Sequence, residues 1–333
     1  MTKLDSGDLQ GNVLVAHDLQ KRYPGTTVLQ GLSFTLQAGR ILGFLGPNGA
    51  GKTTAIRILT TIIEPTAGSF SIRGISSDNP NKIRQVIGVL PESNGAPEGM
   101  AGLDYLIYQG QLYGFSKSDA KIRGLALLDE VGLTGKGGSL ISTYSRGMRQ
   151  RLGIARALVN DPSVVFLDEP TLGLDPSGQQ ELNTLIRKIA RDRETAVVFC
   201  SHLLDEVEQL CDDVIILRAG QVVATGTVAD VISSSGLGVI RLLVEPHQLE
   251  KAKKLLGELP IITKIQGVSG TNDWLEITTA CADGVTESTY DYAVNNEVLQ
   301  KLLQDKITVV SFETGGGRLQ DVFLKLTSKD SKK

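Results

Sequence analysis

The chain has 333 residues, 41% hydrophobic and 21% charged, with 34 Lys and Arg against 37 Asp and Glu for a formal net charge of −3. That length suits one large domain plus a smaller one, and the balance of charge argues against the strongly basic footprint of a nucleic-acid-binding protein. The three cysteines, Cys200, Cys211 and Cys281, are odd in number and lack C-x-x-C spacing, which fits a reducing compartment and excludes a zinc site of that type. No run approaches the roughly eighteen apolar residues of a membrane-spanning helix. The opening MTKLDSGDLQGNV also lacks the apolar core of a signal peptide. A cytoplasmic chain that cannot itself form a pore is therefore expected.

In chain order, Leu32, Phe34 and Leu36 alternate as in a half-buried strand before a turn at Ala38-Gly39. Ile41 to Leu45 reads as a buried strand. It runs into Gly46-Pro47-Asn48-Gly49-Ala50-Gly51-Lys52-Thr53, a full match to G-x-x-x-x-G-K-[ST], and then into a helical pattern at Ala55 to Leu59. Glycines at these points let backbone N–H groups approach phosphate oxygens, and the helix N-terminus adds partial positive charge. Lys52 would bring a full charge to the β- and γ-phosphates, and the Thr53 hydroxyl would ligate Mg²⁺. A strand at Val86 to Leu90 precedes Pro91-Glu92-Ser93. Met100 to Asn160 is rich in helical pattern, with Ser116 and Asp119 forming a capping box for a helix reaching about Val131.

The polar turn Ser145-Arg146-Gly147 starts a basic helix, followed by an apolar strand, Val164 to Leu167, that ends in two adjacent carboxylates, Asp168 and Glu169. The carboxyl end of a buried strand is where an open α/β sheet places its chemistry. Asp175 and Pro176 read as an N-cap and first helical residue, with Leu182, Leu185, Ile186 and Ile189 on one face. A strand at Ala196 to Phe199 leads to His202. Leu203, Leu204, Val207, Leu210 and Cys211 then form an apolar face, and a hairpin follows at Val214 to Leu217 and Gln221 to Ala224. A composition shift at Ser233 to Gly236 marks a linker. Beyond it the pattern is strand (Val239 to Val244), helix (Leu249 to Leu259), a hairpin (Ile261 to Val268 and Trp274 to Thr278), helix (around Val298 to Leu303), strand (Thr308 to Phe312) and helix (Leu319 to Leu326). The order βαββαβ predicts a small α+β ferredoxin-like domain with a terminal helix.

Over roughly residues 10 to 235 these motifs, in this order, resemble the ATP-binding subunit of an ABC transporter. The resemblance implies an α/β P-loop NTPase core with a RecA-like sheet, an antiparallel β subdomain and a helical subdomain at about 95–160. It implies ATP and Mg²⁺ as ligands. Gly46, Pro47, Asn48, Gly49, Ala50, Gly51, Lys52, Thr53 and Thr54 would cradle the phosphates, and Tyr23, in LQKRYPG, would stack on adenine. Asp168 matches the Walker B aspartate, Glu169 the catalytic glutamate and His202 the switch histidine, while Asp175 falls in the D-loop. Tyr144-Ser145-Arg146-Gly147-Met148 stands where the family has LSGGQ, so Ser145 and Gly147 are matched to the γ-phosphate of a partner's ATP and Arg146 and Met148 depart. The family's Q-loop glutamine is replaced by Glu92, expected to keep a contact to Mg²⁺ or water.

The same resemblance implies a head-to-tail pair with a second ATP-binding subunit, driving export through integral membrane permease subunits, with no nucleic acid and a place on the cytoplasmic face of the membrane. A soluble ABC ATPase of cluster assembly, repair or translation is the alternative. Arg318 to Thr327 resembles the end of an accessory domain in export-type members. The second domain is thus expected at 236–328, with a solvated tail at 329–333.

Overall fold

An apolar strand such as Ile41–Leu45 has no polar face to turn to water, so it needs cover on both sides. The computed structural model, which describes residues 11–92, 95–233, 238–267, 274–279, 287–316 and 318–327, shows how that cover is built. The chain divides into two units between Gly226 and Thr227.

The first unit opens with β1 (Asn12–Tyr23), β2 (Thr26–Gln37) and β3 (Ile41–Leu45), then α1 (Lys52–Leu59), β4 (Ala67–Ile72), β5 (Ile75–Ser76), α2 (Pro80–Val86) and β6 (Ile87–Leu90). A helical stretch follows: α3 (Gly102–Leu112), α4 (Lys117–Glu130) and α5 (Arg146–Ala157). The chain then alternates β7 (Val164–Asp168), α6 (Pro176–Asp192), β8 (Ala196–Cys200), α7 (Leu204–Leu210), β9 (Asp213–Arg218) and β10 (Gln221–Thr227). One sheet has the order β2-β1-β4-β5, with antiparallel pairing throughout. The other has the order β10-β9-β3-β8-β7-β6, and its central strands pair in parallel.

Every residue of β3 and β8 is buried, as are the first four of β7. The two sheets share one core, in which Phe34 of β2 meets Phe44 of β3 edge-on, ring centroids 5.4 Å apart. The expected α6 face is buried at Leu182, Leu185, Ile186 and Ile189. Both predicted N-caps form: Ser116 Oγ accepts from the Asp119 N–H at 3.1 Å, and Asp175 Oδ1 from the Gly178 N–H at 3.3 Å. The sequence pattern missed α2, which Pro80 opens, so the strand expected from Val86 begins at Ile87 instead.

The second unit contains α8 (Val228–Ser233), β11 (Gly238–Val244), α9 (Leu249–Gly257), β12 (Ile262–Gly267), β13 (Trp274–Thr279), α10 (Glu287–Gln304), β14 (Val309–Gly316) and α11 (Leu319–Thr327). From β11 to β14 this is the expected βαββαβ order, and its antiparallel sheet runs β12-β13-β11-β14. Its core is separate, built from Ile240, Leu242, Leu256, Leu275, Ile277, Val298 and Leu302 among others. The division falls ahead of the boundary expected at Ser235. Helix α8 buries Val228 and Val231 and packs with α11, so it belongs to the second unit. Most of the proposed linker, the hairpin loop at 268–273, Cys281 and the 329–333 tail lie outside the described residues.

Edge strand β6 leads directly to Glu92, and side chains fasten it. Arg156 Nη2 donates to the Val89 carbonyl at 2.6 Å and Asn160 Nδ2 to the Ile87 carbonyl at 3.0 Å. Gly88 lets the strand lie this close, because a Cβ there would overlap the Ala157 carbonyl oxygen. Backbone cannot give way as a side-chain tip can. Gly88→Ala is therefore expected to destabilise the first unit by about 1–3 kcal/mol, the usual cost of overpacking, read as a lower denaturation midpoint.

Candidate active site

β3 carries the chain to the edge of a cleft, and the loop that follows needs glycine. The φ angle is 155° at Gly46, 82° at Gly49 and 108° at Gly51. A Cβ on Gly46 would lie 2.5 Å from the Leu217 carbonyl oxygen, and one on Gly51 2.9 Å from that of Val28. The loop is pinned from outside as well, since the Gly220 N–H donates to the Ala50 carbonyl at 3.0 Å. Helix α1 then starts with no side-chain cap and no acidic residue in its first turn. Its leading N–H groups and partial positive charge are left for an anion. Lys52 Nζ folds back to donate to the carbonyls of Gly46 and Pro47, the latter at 3.3 Å.

Strands β7 and β8 end side by side, with Asp168 opposite Cys200. The next residue, Glu169, adopts φ 49°, a left-handed conformation uncommon outside glycine. Its N–H donates to the Cys200 carbonyl at 2.9 Å. This turn brings Glu169 Oε2 to 2.8 Å from His202 Nδ1. An ionised carboxylate only accepts, so Nδ1 carries the proton of this bond and the second ring nitrogen remains available. The Glu169 side chain is 18% exposed and that of His202 56%.

Burial, then the charges of Glu169 and Glu92, push the Asp168 carboxyl up against the opposing pull of Lys52 and Arg57. Such crowding of negative charge is what a divalent cation relieves. Burial also pushes the Cys200 thiol well up, so Cys200 serves as wall rather than nucleophile.

The cleft encloses about 540 Å³ and is lined by Val28, Pro47 to Thr54, Glu92, Asp168, Glu169, Leu172, Cys200 and His202. These residues fit a nucleotide phosphate chain with Mg²⁺: a loop whose Gly46 and Gly51 leave no room for a Cβ, an uncapped helix end, a lysine, and oxygen donors at Thr53 and Asp168. Among the described residues no group of three or more His, Cys, Asp and Glu forms a metal cage. Mg²⁺ is ordinarily held by one or two protein oxygens plus phosphates and waters, so the sparse donor set suits it.

Five of the residues expected to bind nucleotide lie outside this lining, among them Gly46, which directly follows β3. Tyr23 ends β1 with 43% exposure, and Lys21 Nζ sits 5.3 Å from its ring centre. Asp175 caps α6. Ser145 is exposed and caps α5, its Oγ accepting from the Met148 N–H at 3.2 Å, and Gly147 lies in the first turn of that helix. The departures around them have structural counterparts. Tyr144 is buried and donates to the Lys136 carbonyl at 2.7 Å. The Arg146 guanidinium lies so close to Gly173 that a Cβ there would come within 2.5 Å of its Cζ. Sequence reading missed Val28, Leu172 and Cys200 as cleft walls. Nothing in their residue types marks them.

A family model described as ABC transporter matches residues 29–172. The chain is 36% identical to the daunorubicin/doxorubicin resistance ATP-binding protein DrrA of Streptomyces peucetius, over 93% of this chain and 90% of that one. It is 32% identical to the Nod factor export ATP-binding protein I of Burkholderia lata, over 94% and 96% respectively. Among solved structures, an ATP-binding subunit of an ABC transporter matches with TM-score 0.59 at 30% identity, covering 67% of this chain and 93% of that one. A dimeric ATP-binding cassette in a post-hydrolysis state bound to ADP and phosphate shares the fold, with TM-score 0.58 at 23% identity over 64% and 98%. With a glycine loop facing a strained glutamate and its histidine, and with similarity to the two relatives along nearly its whole length, the chain belongs to the ABC transporter family: this is one of its ATP-binding, ATP-hydrolysing subunits.

Proposed function

We propose that this subunit hydrolyses ATP through Glu169 and His202 and drives export through separate integral membrane permease subunits, paired head to tail with a second ATP-binding subunit on the cytoplasmic face of the membrane. The observation that carries the catalytic reading is the 2.8 Å contact between Glu169 and His202 at the rim of the phosphate loop.

Phosphoryl transfer depends on positioning and charge neutralisation more than on covalent chemistry. Lys52 leaves the Gly46 and Pro47 carbonyls for the β- and γ-phosphates, and the loop N–H groups bind the remaining oxygens. Thr53 and Asp168, with Glu92 beside them, would hold Mg²⁺, which would supply neutralising charge. Glu169 accepts a hydrogen bond from the attacking water and orients it. His202, held by its Nδ1–H on Glu169, turns its other nitrogen to the γ-phosphate. Tyr23 lies open for adenine to stack on. Ser145 and Gly147, outside their own chain's cleft, face the nucleotide of the partner, and Asp175 lies at the junction between the two.

The likeness to a dimeric cassette supports the pairing. Among the described residues no helix is long and apolar enough to cross a membrane, which supports a separate permease. A relative named for Nod factor export supports the outward direction. All the cleft-lining residues come from the first unit, so we read the second as accessory, acting on the pairing rather than the chemistry.

Three outcomes test these assignments. Glu169→Gln should keep ATP binding while kcat falls by about 10²–10⁴-fold, measured as phosphate release beside nucleotide binding; an unchanged rate removes Glu169 from the role. Glu92→Gln, which restores the family's amide, should retain ATP binding, turnover and coupled transport, and loss of transport alone would show that the acid is itself required. A chain ending at Gly226 should bind ATP yet pair more weakly in light scattering; unaltered pairing and transport would leave the second unit without that task.

A further inference from the structure

One carboxylate outside the cleft joins the two turns that carry Glu169 and His202. Glu206 lies in α7 and is buried. Its Oε2 accepts two hydrogen bonds, from Thr171 Oγ1 at 2.8 Å and from Ser201 Oγ at 3.1 Å. Thr171 follows Glu169 by two residues, and Ser201 immediately precedes His202. The Ser201 oxygen also accepts from the Leu203 N–H at 3.1 Å, so its single proton is committed to Glu206 while its lone pair holds the far side of the histidine.

Filling space does not account for a carboxylate here. Glu206 Oε1 is buried with no hydrogen-bond partner among the described residues. A buried acid with an orphaned oxygen bears a desolvation cost that an apolar side chain of similar size avoids. What an apolar side chain cannot do is accept two hydroxyl protons on one atom. That capacity is spent where the backbone is strained, since Glu169 keeps φ 49° only if its surroundings hold it there. The bond from the Glu169 N–H to the Cys200 carbonyl fixes the two turns at their base, and Glu206 ties them again one step further out.

We propose that Glu206 is a positioning residue for ATP hydrolysis: by clamping Thr171 to Ser201 it sets the contact between Glu169 and His202 without touching nucleotide or water. The inference rests on the reading of Glu169 and His202 as the hydrolytic pair. Because the phosphate loop is not involved, loss of the clamp acts on kcat and leaves KM for ATP in place.

The test is steady-state ATPase of the full chain. Glu206→Ala should lower kcat by about 10–100-fold, the usual effect of removing a supporting hydrogen-bond partner, with KM little changed. Glu206→Gln keeps an oxygen able to accept both hydroxyls and should recover most of that loss. In a His202→Ala background the same Glu206→Ala change should cost less than about threefold, since side chains acting through one contact are not additive. Thr171→Val removes one donor at nearly constant volume and carries the same comparison should Glu206→Ala fail to fold. Equal losses in both backgrounds, a rise in KM with kcat intact, or no loss at all would overturn the clamp. Failure of the parent reading looks different: Glu169→Gln and His202→Ala would then leave turnover intact, and the clamp would fall with them.

Discussion

Strands β3, β7 and β8 run parallel in adjacent sheet positions, so their carboxyl ends open at one edge. Each is buried on both faces, and none can slide without carrying apolar side chains out of register with the layers above and below. The phosphate loop leaves β3, the two acids leave β7, and His202 follows β8. Three segments far apart in the chain are thereby held at one cleft. The site depends on strand alignment before it depends on any polar contact.

Within that frame, two local features work against stability. Asp168 shares its field with Glu169 and Glu92, and Glu169 takes a backbone angle that an L-residue avoids. Both are tolerable because the surroundings over-determine them. Lys52 and Arg57 offset part of the negative charge, and hydrogen bonds from the Glu169 N–H and the Thr171 hydroxyl hold the turn. Crowded carboxylates and a strained turn are a poor arrangement for a resting loop and a fitting one for a cation, a phosphate and an oriented water.

The Tyr144 to Met148 segment shows how a departure from a family pattern is absorbed. Tyr144 is a buried anchor against the start of α3, where Gly102 leaves room for its hydroxyl. Ser145 keeps its place as the N-cap of α5. Arg146 adds a cation near a helix N-terminus, where the dipole disfavours it, and lies across Gly173. Ser145 thus caps α5 and Gly147 lies in its first turn with Arg146 and Met148 beside them.

Much of this protein was legible in its sequence wherever the physics is local. Gly46 to Thr53 announces a phosphate loop because three left-handed glycines, a lysine and a hydroxyl must be spaced that way, whatever surrounds them. The caps at Ser116 and Asp175 are short-range, as is the alternation of β2. Helix α2 escaped because its seven residues, about two turns, are too few for a period to emerge, and the unit boundary was misplaced because burial of Val228 and Val231 is not a property of composition. The sequence by itself determined the loop, the order of strands and helices, and the residue types that make hydrolysis possible. Only the tertiary structure decided that Glu169 meets His202, that Val28, Leu172 and Cys200 wall the cleft, and that Glu206 joins its two turns. Those contacts depend on where parallel strands end relative to one another, and that is settled by packing between residues many positions apart.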